Sequence, residues 1–176
     1  CKIVMTTCEP ASYLEAYSFI KVALYRKLNR LHGPETLMPG RIDPILKKLI
    51  YETTVSGQDP MVGDIETLIK RIKKEHPLSL TTIKKALFDF TPRLIVNKAR
   101  NEKEALSPVQ RIKAVSKSKL SIGVGYLGSL PYSSEIEQSA RTLVPWVSGN
   151  MDMVLRNKIE NIAIQLEDLR INPHAA

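Results

Sequence analysis

The fold is decided by residues 92–97, Pro92-Arg93-Leu94-Ile95-Val96-Asn97, an apolar run that ends in a polar corner. Residues 2–7 (KIVMTT) repeat the pattern and are expected to form a buried strand, and both runs are too short for a helix. An unbroken Leu-Ile-Val sequence is typical of a strand buried on both faces, as in a parallel sheet. Because helical segments lie between and after the two runs, we expect an α/β fold in which strands lead through polar turns into helices.

Apolar residues recur every three or four positions through most of the remaining chain, which predicts helices. The expected helices cover residues 10–31, 43–52, 64–75, 81–90, 107–119, 135–143 and 151–171. Their starts are marked by Pro10, by Asp43 before Pro44, by Thr81 or Thr82, by Ser107 before Pro108, and by Ser133 or Ser134. Residues 122–130 have strand character, so the sheet should hold about three strands, with helices on its faces and a helical insert at 33–90.

The final helix carries one apolar stripe at spacings of four and three residues, formed by Leu155, Ile159, Ile162, Leu166 and Leu169. Such a stripe can pack on a sheet, pair with another helix or lie on a membrane. Three basic and four acidic residues give segment 151–171 a net charge of −1. A membrane-surface helix is usually basic on its polar face, so this helix is expected to pack on the body of the protein.

The charge distribution is more informative than the overall composition, which with 43% apolar and 25% charged residues is that of an ordinary globular protein. The net charge is +8, of which residues 64–100 contribute +5 (9 basic, 4 acidic) and residues 101–120 contribute +3 (5 basic, 2 acidic). A basic middle third can face nucleic acid, anionic lipid or an acidic partner, or it can be a solvated helical surface.

Several kinds of site and segment are not indicated by the sequence. Cys1 and Cys8 lack CxxC spacing, and the three histidines, at 32, 76 and 174, lack ligand spacing, so neither a disulfide framework nor a metal site is predicted. There is no G-x-S-x-G nucleophile motif, no bilayer-spanning apolar run and no signal peptide. Because Cys1 lies inside a predicted strand rather than before it, residues upstream are expected to have been lost.

One glycine pattern, Gly123-x-Gly125-x-x-Gly128, matches the dinucleotide fingerprint in spacing only. The fingerprint requires the glycines in a turn directly before a helix, whereas these lie within a strand-like segment that Pro131 follows. We therefore reject a dinucleotide site and expect the glycines to serve close backbone packing.

The strand ends are the remaining candidate site. Asn97 ends the second strand at the edge where open parallel sheets bind ligands, and its amide offers a donor and an acceptor suited to a purine edge. The backbone of the Gly128–Ser133 corner can line the opposite side of a base, with Pro131 fixing the turn. The alternative is that Asn97 only caps the strand end.

The order of these segments resembles the C-terminal half of MinD/ParA-family (deviant-Walker) P-loop ATPases. Residues 4–21 (VMTTCEPASYLEAYSFIK) resemble the family stretch VVTTPEPTSLTDAYALIK, and residues 92–100 (PRLIVNKAR) resemble its NR or NxxR strand. Residues 126–132 (YLGSLPY) are similar to its YLGxIPYD corner, and the helix from Glu135 to the break at Val144-Pro145 also matches. The long helical insert resembles that of the flagellar-number regulators (FlhG/FleN-like proteins).

The resemblance implies that residues 1–176 are the C-terminal half of one Rossmann-like P-loop NTPase domain. Asn97 would read adenine, Arg100 would belong to the same nucleotide site, and Pro131, Tyr132 and Ser133 would line the base. ATP or ADP would bind the full-length protein, sandwiched in a dimer. The family's K-G-G-x-G-K-T loop and magnesium-ordering aspartate do not occur in these residues, so the chain alone is not expected to hydrolyse ATP.

The resemblance also implies partners and a role. The role would be an ATP-dependent positioning or regulatory switch in cell division, flagellar number or DNA segregation, at a cytoplasmic location that extends to the inner membrane face. The expected partners are the missing N-terminal half, a second copy of the chain, a regulatory protein, a membrane surface or nucleic acid. The alternative function is a non-enzymatic interaction module that uses the basic region 64–120 to bind a protein or nucleic acid.

Overall fold

The computed structural model describes residues 2–33, 35–36, 43–55, 65–144 and 152–171. The described elements are β1 (Lys2–Thr6), α1 (Pro10–His32), α2 (Pro44–Val55), α3 (Ile65–Glu75), α4 (Leu80–Phe88), β2 (Pro92–Val96), α5 (Glu102–Val115), β3 (Gly125–Ser129), α6 (Ser134–Thr142) and α7 (Met153–Ile171). A 3₁₀ turn, Pro77–Ser79, joins α3 to α4, and a π-helical turn, Ser116–Leu120, extends α5. Within the described ranges, no helix combines the length and apolar character needed to cross a bilayer.

The chain divides into two compact units. The sheet unit comprises residues 1–16, 92–112 and 125–176, and the helical unit comprises residues 17–91 and 113–124. The sheet unit has 10 basic and 10 acidic residues, whereas the helical unit has 16 basic and 8 acidic residues. The helical unit therefore carries the whole net charge of +8, and the sheet unit is neutral.

The sheet confirms the predicted α/β class with parallel strands. Its order is β1-β2-β3, and both neighbouring pairs are parallel. All five residues of β2 are buried, as the unbroken apolar run of the central strand indicated. In an all-parallel sheet, the carboxyl ends of all three strands lie at one edge.

The prediction that β1 is a buried strand is wrong for one of its faces. Val4 and Thr6 are buried, but the alternate residues Ile3 and Met5 are 45% and 55% exposed. Among the described residues only the face that carries Val4 and Thr6 is covered, so the continuous apolar run of β1 does not report burial on both sides.

The third strand contains a β-bulge. Leu94 is in register with Tyr126, but the next residue, Ile95, is in register with Gly128, so Leu127 is an extra residue. Gly128 has a φ of +143°, which L-residues rarely adopt, and a Cβ built on it would lie 3.3 Å from Ile162 Cγ1. The predicted close packing also holds at Gly125, whose Cβ would overlap Arg93, but it is wrong at Gly123, where nothing lies within 4 Å.

Helix α7 packs on the sheet, as its apolar stripe predicted. Ile162 forms a core cluster with Ile95 and Leu127, joined by Leu130, Leu166 and Leu169. Gln165 Nε2 donates a hydrogen bond of 2.9 Å to the Leu127 carbonyl of β3. The helix therefore supplies a hydrogen-bond donor to a strand that lies at the edge of the sheet.

Two predicted helix starts are wrong. Helix α5 begins at Glu102 instead of Ser107, because Asn101 Oδ1 accepts the Glu104 amide at 2.8 Å and caps the helix earlier. Pro108 lies inside α5, although proline most often marks a first turn. Helix α4 begins at Leu80, with Ser79 rather than a threonine in the cap position. The predictions for Asp64, Pro145, Met151 and His174 lie outside the described residues.

The helical unit is built on buried leucine and isoleucine side chains from each of its helices. Asp43 caps α2 as predicted, because its Oδ1 accepts the backbone amides of Ile45 and Leu46. The largest fully buried side chains of the unit are Ile20, Leu24, Leu28, Leu49, Ile50, Ile65, Leu68, Ile72, Ile83 and Leu120. Helices α2–α4 lie between α1 and β2, in the stretch where the sequence predicted an insert.

Candidate functional site

The candidate site lies in the sheet unit, where the backbone pairing continues beyond the ends of the strands. The Asn97 amide donates to the Thr6 carbonyl at 2.7 Å, and the Leu130 amide donates to the Val96 carbonyl at 2.8 Å. The Ala99 amide then donates to the Leu130 carbonyl at 3.1 Å. These bonds hold the segment after β2 beside the segment after β3, so the structure brings together the two corners that the sequence singled out.

The Asn97 side chain is half-buried, and among the described residues its oxygen forms a hydrogen bond while its nitrogen forms none. Its Oδ1 accepts the Lys98 amide at 2.9 Å, and Lys98 has a φ of +57° that turns the chain away from the sheet. This hydrogen bond is the strand-end cap that the sequence analysis considered, and it uses one lone pair of Asn97 Oδ1. Among the described residues, the Asn97 amide nitrogen has no hydrogen-bond partner. It can donate to a ring nitrogen of a base while Oδ1 accepts from an exocyclic amino group through its second lone pair.

Arg100 lies three residues beyond Asn97 and is exposed. Its backbone amide donates to Glu104 Oε2 at 2.7 Å, which anchors the chain just before α5. In the part of the chain that the structure describes, no carboxylate lies within ion-pair distance of the Arg100 guanidinium. That side chain is therefore available to an anionic group at this edge of the sheet.

In the corner after β3, the polar side chains form hydrogen bonds with the helix that follows, α6. Ser133 Oγ accepts the Ile136 amide at 3.3 Å and caps α6, as the sequence suggested. Tyr132 is 58% exposed, and its hydroxyl donates to Glu137, which raises the pKa of the tyrosine. Because both polar side chains are engaged, the backbone of Pro131-Tyr132-Ser133 and the exposed ring of Tyr132 are what this corner offers to a ligand.

The end of β1 adds a hydroxyl cluster that the sequence analysis did not name as part of the site. Ser12 Oγ accepts the Thr7 amide at 3.0 Å and lies 3.2 Å from Thr6 Oγ1. Beside it, burial and the negative charge of Glu104 raise the pKa of the Cys8 thiol. Cys8 therefore stays protonated at neutral pH and is not an activated nucleophile.

A second polar cluster surrounds the Glu102 carboxylate, and sequence reasoning missed it. Glu102 accepts hydrogen bonds from the Tyr126 hydroxyl at 2.5 Å and the Ser129 hydroxyl at 2.7 Å. Lys158 Nζ lies 3.5 Å from Glu102 Oε2 and 3.3 Å from Ser129 Oγ. The cluster lines a cavity of about 300 Å³ and ties α5, β3 and α7 together.

The bulge in β3 makes this cluster possible. Tyr126 and Ser129 are three residues apart and would point to opposite faces of a regular strand. Because Leu127 is extra, Tyr126 is in register with Leu94 and Ser129 with Val96, which share one face of β2. Both hydroxyls therefore reach the same carboxylate.

Hydrogen bonds set the ionisation of this cluster. Those from Tyr126 and Ser129 are the main reason that the pKa of Glu102 is lowered. Burial, and then the bond to Glu102, raise the pKa of Tyr126 well above its usual range. At neutral pH the carboxylate is charged and both hydroxyls act as donors, so the arrangement is a structural tie between three elements. Within the described ranges, no three His, Cys, Asp or Glu side chains group as a metal site requires.

Substituting Glu102 with glutamine is expected to make stability less dependent on acid pH. Because folding lowers the pKa of Glu102, its contribution is present above the unfolded pKa of about 4.3 and is lost as the pH falls through the folded value. The side chain is 50% exposed, so Glu102→Gln should cost only about 1 kcal/mol at pH 7. Urea unfolding at pH 7 and pH 3 measures the difference, which should shrink at pH 3.

Glu15→Gln is the matched control, because Glu15 is exposed on α1. It removes one carboxylate without removing a hydrogen bond from the Glu102 cluster, so it should leave stability nearly unchanged at both pH values. An equal cost of Glu102→Gln at pH 3 and pH 7 would contradict the assignment.

The two corners at the strand ends and the Glu102 cluster are defined by the contacts described above. Compared with protein-family models, with curated proteins and with solved structures, the chain matches none.

Proposed function

We propose that the chain is the adenine-side, C-terminal part of a MinD/ParA-like ATPase that acts as an ATP-dependent positioning or regulatory switch. The proposal is supported by an all-parallel sheet in which the segment around Asn97 is bonded to Leu130, the residue before the Pro131–Ser133 corner. In open α/β sheets, ligands bind at this edge. The observation that carries the proposal is the Asn97 amide nitrogen, which has no partner among the described residues.

The chemistry of the two corners favours a base over a phosphate group. Asn97 offers a donor and an acceptor in one plane, and the Tyr132 ring is exposed three residues beyond the end of β3. Arg100 lies three residues after Asn97, has no carboxylate within ion-pair distance among the described residues, and can meet an anionic part of the nucleotide. No glycine-rich phosphate loop of the type G-x-x-x-x-G-K-[ST] occurs in the 176 residues.

A partner is part of this proposal. Among the described residues β1 pairs only with β2, and Ile3 and Met5 are exposed on one of its faces. Proteins normally cover both an unpaired strand edge and an exposed apolar face. A strand and helix from the half that bears the phosphate-binding loop, or from a second copy of the chain, would cover both. ATP hydrolysis would then require that partner, because the phosphate-binding and magnesium-binding residues lie outside this chain.

The experiment is a titration of the ¹⁵N-labelled chain with ATP and, separately, with GTP, followed by NMR. We expect ATP to shift the amide resonances of Asn97, Leu130 and Tyr132 in a saturable way, and GTP to do so more weakly. Asn97→Ala should weaken ATP binding about tenfold, the equivalent of one hydrogen bond to the base. The chain alone should show no ATP turnover.

Asn157→Ala is the matched control, since Asn157 is an exposed residue of α7. It should leave the ATP affinity unchanged. Shifts confined to other residues, equal responses to ATP and GTP, or an ATP affinity that Asn97→Ala leaves intact would each rule out an adenine site at Asn97.

One observation favours the second candidate function, an interaction module that uses the basic region 64–120. The helical unit, which contains residues 64–91 and 113–120 of that region, carries the whole net charge of +8. The sheet unit is neutral, and it contains residues 92–112 and the nucleotide-site candidate. Phosphate-driven binding of nucleic acid falls steeply with added salt, whereas a base held by Asn97 responds weakly. Binding titrations at two ionic strengths therefore separate the two functions.

A further inference from the structure

The cavity beside Glu102 is lined by more polar groups than the tie between α5, β3 and α7 requires. It has a volume of about 300 Å³ and lies wholly within the sheet unit. Its polar lining residues are Glu102, Tyr126, Ser129, Lys158, Asn161 and Gln165, and the others are Leu127, Gly128 and Ile162. A pocket that combines an apolar part with several convergent polar groups is the usual form of a small-molecule site.

Helix α7 contributes three of these polar side chains from one of its sides. Lys158, Asn161 and Gln165 follow one another at spacings of three and four residues, so they lie along one side of the helix. Ile162 lines the same cavity and belongs to the core cluster that holds α7 on the sheet. The side of α7 that packs on the sheet therefore carries a polar row as well as an apolar one.

Two members of this polar row bind α7 to its neighbours, and Asn161 does not. Lys158 Nζ meets the Glu102 carboxylate of α5. Gln165 Nε2 donates to the Leu127 carbonyl of β3. In the part of the chain that the structure describes, the Asn161 amide forms no hydrogen bond, although it lines the cavity one turn from each of the other two. Asn161 therefore offers a donor and an acceptor that the tie does not use.

The engaged side chains also keep hydrogen-bonding capacity. A carboxylate accepts up to about four hydrogen bonds, and Glu102 receives those of Tyr126, Ser129 and Lys158. The Lys158 ammonium has three protons and meets two acceptors, Glu102 and Ser129. Among the described residues, the Gln165 carbonyl oxygen accepts no hydrogen bond. Donors and acceptors are therefore both left over around one small space.

The two charges that line the cavity cancel each other. Lys158 Nζ lies 3.5 Å from Glu102 Oε2, so the pair presents no net charge to a ligand. A monovalent ion gains little from such a pair, and a zwitterion would have to compete with it for both charges. A neutral ligand leaves the pair intact. Hydroxyl groups suit the remaining capacity, because each of them both donates and accepts.

We propose that this cavity binds a neutral, polyhydroxylated ring, a single sugar unit. Its hydroxyl groups bond Glu102, Lys158 and Asn161, and its C–H groups pack against Leu127 and Ile162. A volume of about 300 Å³ is at the low end of the range for ligand pockets, which suits one ring rather than a chain of them. The proposal does not depend on Asn97 or on a nucleotide.

The test is an NMR titration of the ¹⁵N-labelled full chain with D-glucose, D-galactose and D-mannose in turn, each up to about 50 mM, without nucleotide. We expect at least one sugar to shift the side-chain amide resonances of Asn161 and Gln165 and the backbone amide of Gly128 in a saturable way. The expected Kd is on the order of 1 mM, because so small a ligand makes few contacts. Asn161→Ala should raise that Kd about tenfold, the equivalent of one hydrogen bond.

Asn157→Ala is again the matched control, because Asn157 is exposed on α7 one turn before Asn161 and is not among the residues that line the cavity. It removes the same amide group and should leave the sugar affinity unchanged. Circular dichroism and urea unfolding establish that both variants fold, as expected for two exposed side chains.

Three results would overturn the proposal. One is the absence of saturable shifts with all three sugars. Another is a sugar affinity that Asn161→Ala leaves intact, which would place the binding elsewhere on the chain. The third is a saturable shift of the same amides by free L-serine and by none of the sugars, which would indicate a site for a zwitterion. Because no nucleotide is present, none of these results bears on Asn97.

Discussion

Gly128→Val is expected to destabilise the sheet unit by about 2–4 kcal/mol. The residue has a φ of +143°, which a β-branched residue adopts only with strain, and any Cβ would meet Ile162 Cγ1 at 3.3 Å. The new methyl groups would therefore push α7 away from the core formed by Ile95, Leu127 and Ile162. The free energy of unfolding in urea measures the cost, and Gly128→Ala should show about half of it.

Gly123→Ala is the internal control for this experiment. It adds the same methyl group two residues before β3, where nothing lies within 4 Å of the new atom, so its cost should be small. If the alanine variants at 123 and 128 lose equal stability, the bulge and the contact with Ile162 are not what requires glycine at 128.

Leu94→Ala is expected to cost about 2–5 kcal/mol, the usual range for removing a fully buried leucine side chain. Leu94 has no exposed surface and lies in the centre of the central strand, in register with Val4 on one side and Tyr126 on the other. The cavity would open on the face of the sheet that Val4, Leu94 and Tyr126 share, so thermal and urea unfolding should both report the loss.

Ile3→Ala is the comparison for Leu94→Ala. Ile3 belongs to the same sheet but is 45% exposed on the edge strand, so its truncation should cost less than about 1.5 kcal/mol. A loss at Ile3 as large as that at Leu94 would mean that another part of the chain covers the β1 face in solution.

The sequence could locate strands because short apolar runs report burial locally. Residues 2–7 and 92–97 contain β1 and β2, and the parallel arrangement was expected from the continuous run in β2. The same signal could not tell which faces of a strand are covered, because that depends on the packing of distant elements on the sheet. That is why the exposure of Ile3 and Met5 was not predicted.

The candidate site was predictable only in part. The positions of Asn97 and of the Pro131–Ser133 corner were located from the sequence, but the use of Asn97 Oδ1 by the Lys98 turn was not. The Glu102 cluster could not be found, because Pro108 suggested a later start for α5 and because the bulge reverses the expected direction of Ser129. The start of α5 depends on a competing cap at Asn101, and the direction of Ser129 depends on the register between β2 and β3.

The strand order also determines when each part of the sheet can form during synthesis on the ribosome. Strands β2 and β3 are separated by 28 residues and can pair as soon as α5 and β3 have emerged. Strand β1 precedes β2, its partner among the described residues, by 85 residues. During translation of that interval β1 cannot pair with β2, which makes β1 a segment that a chaperone would protect.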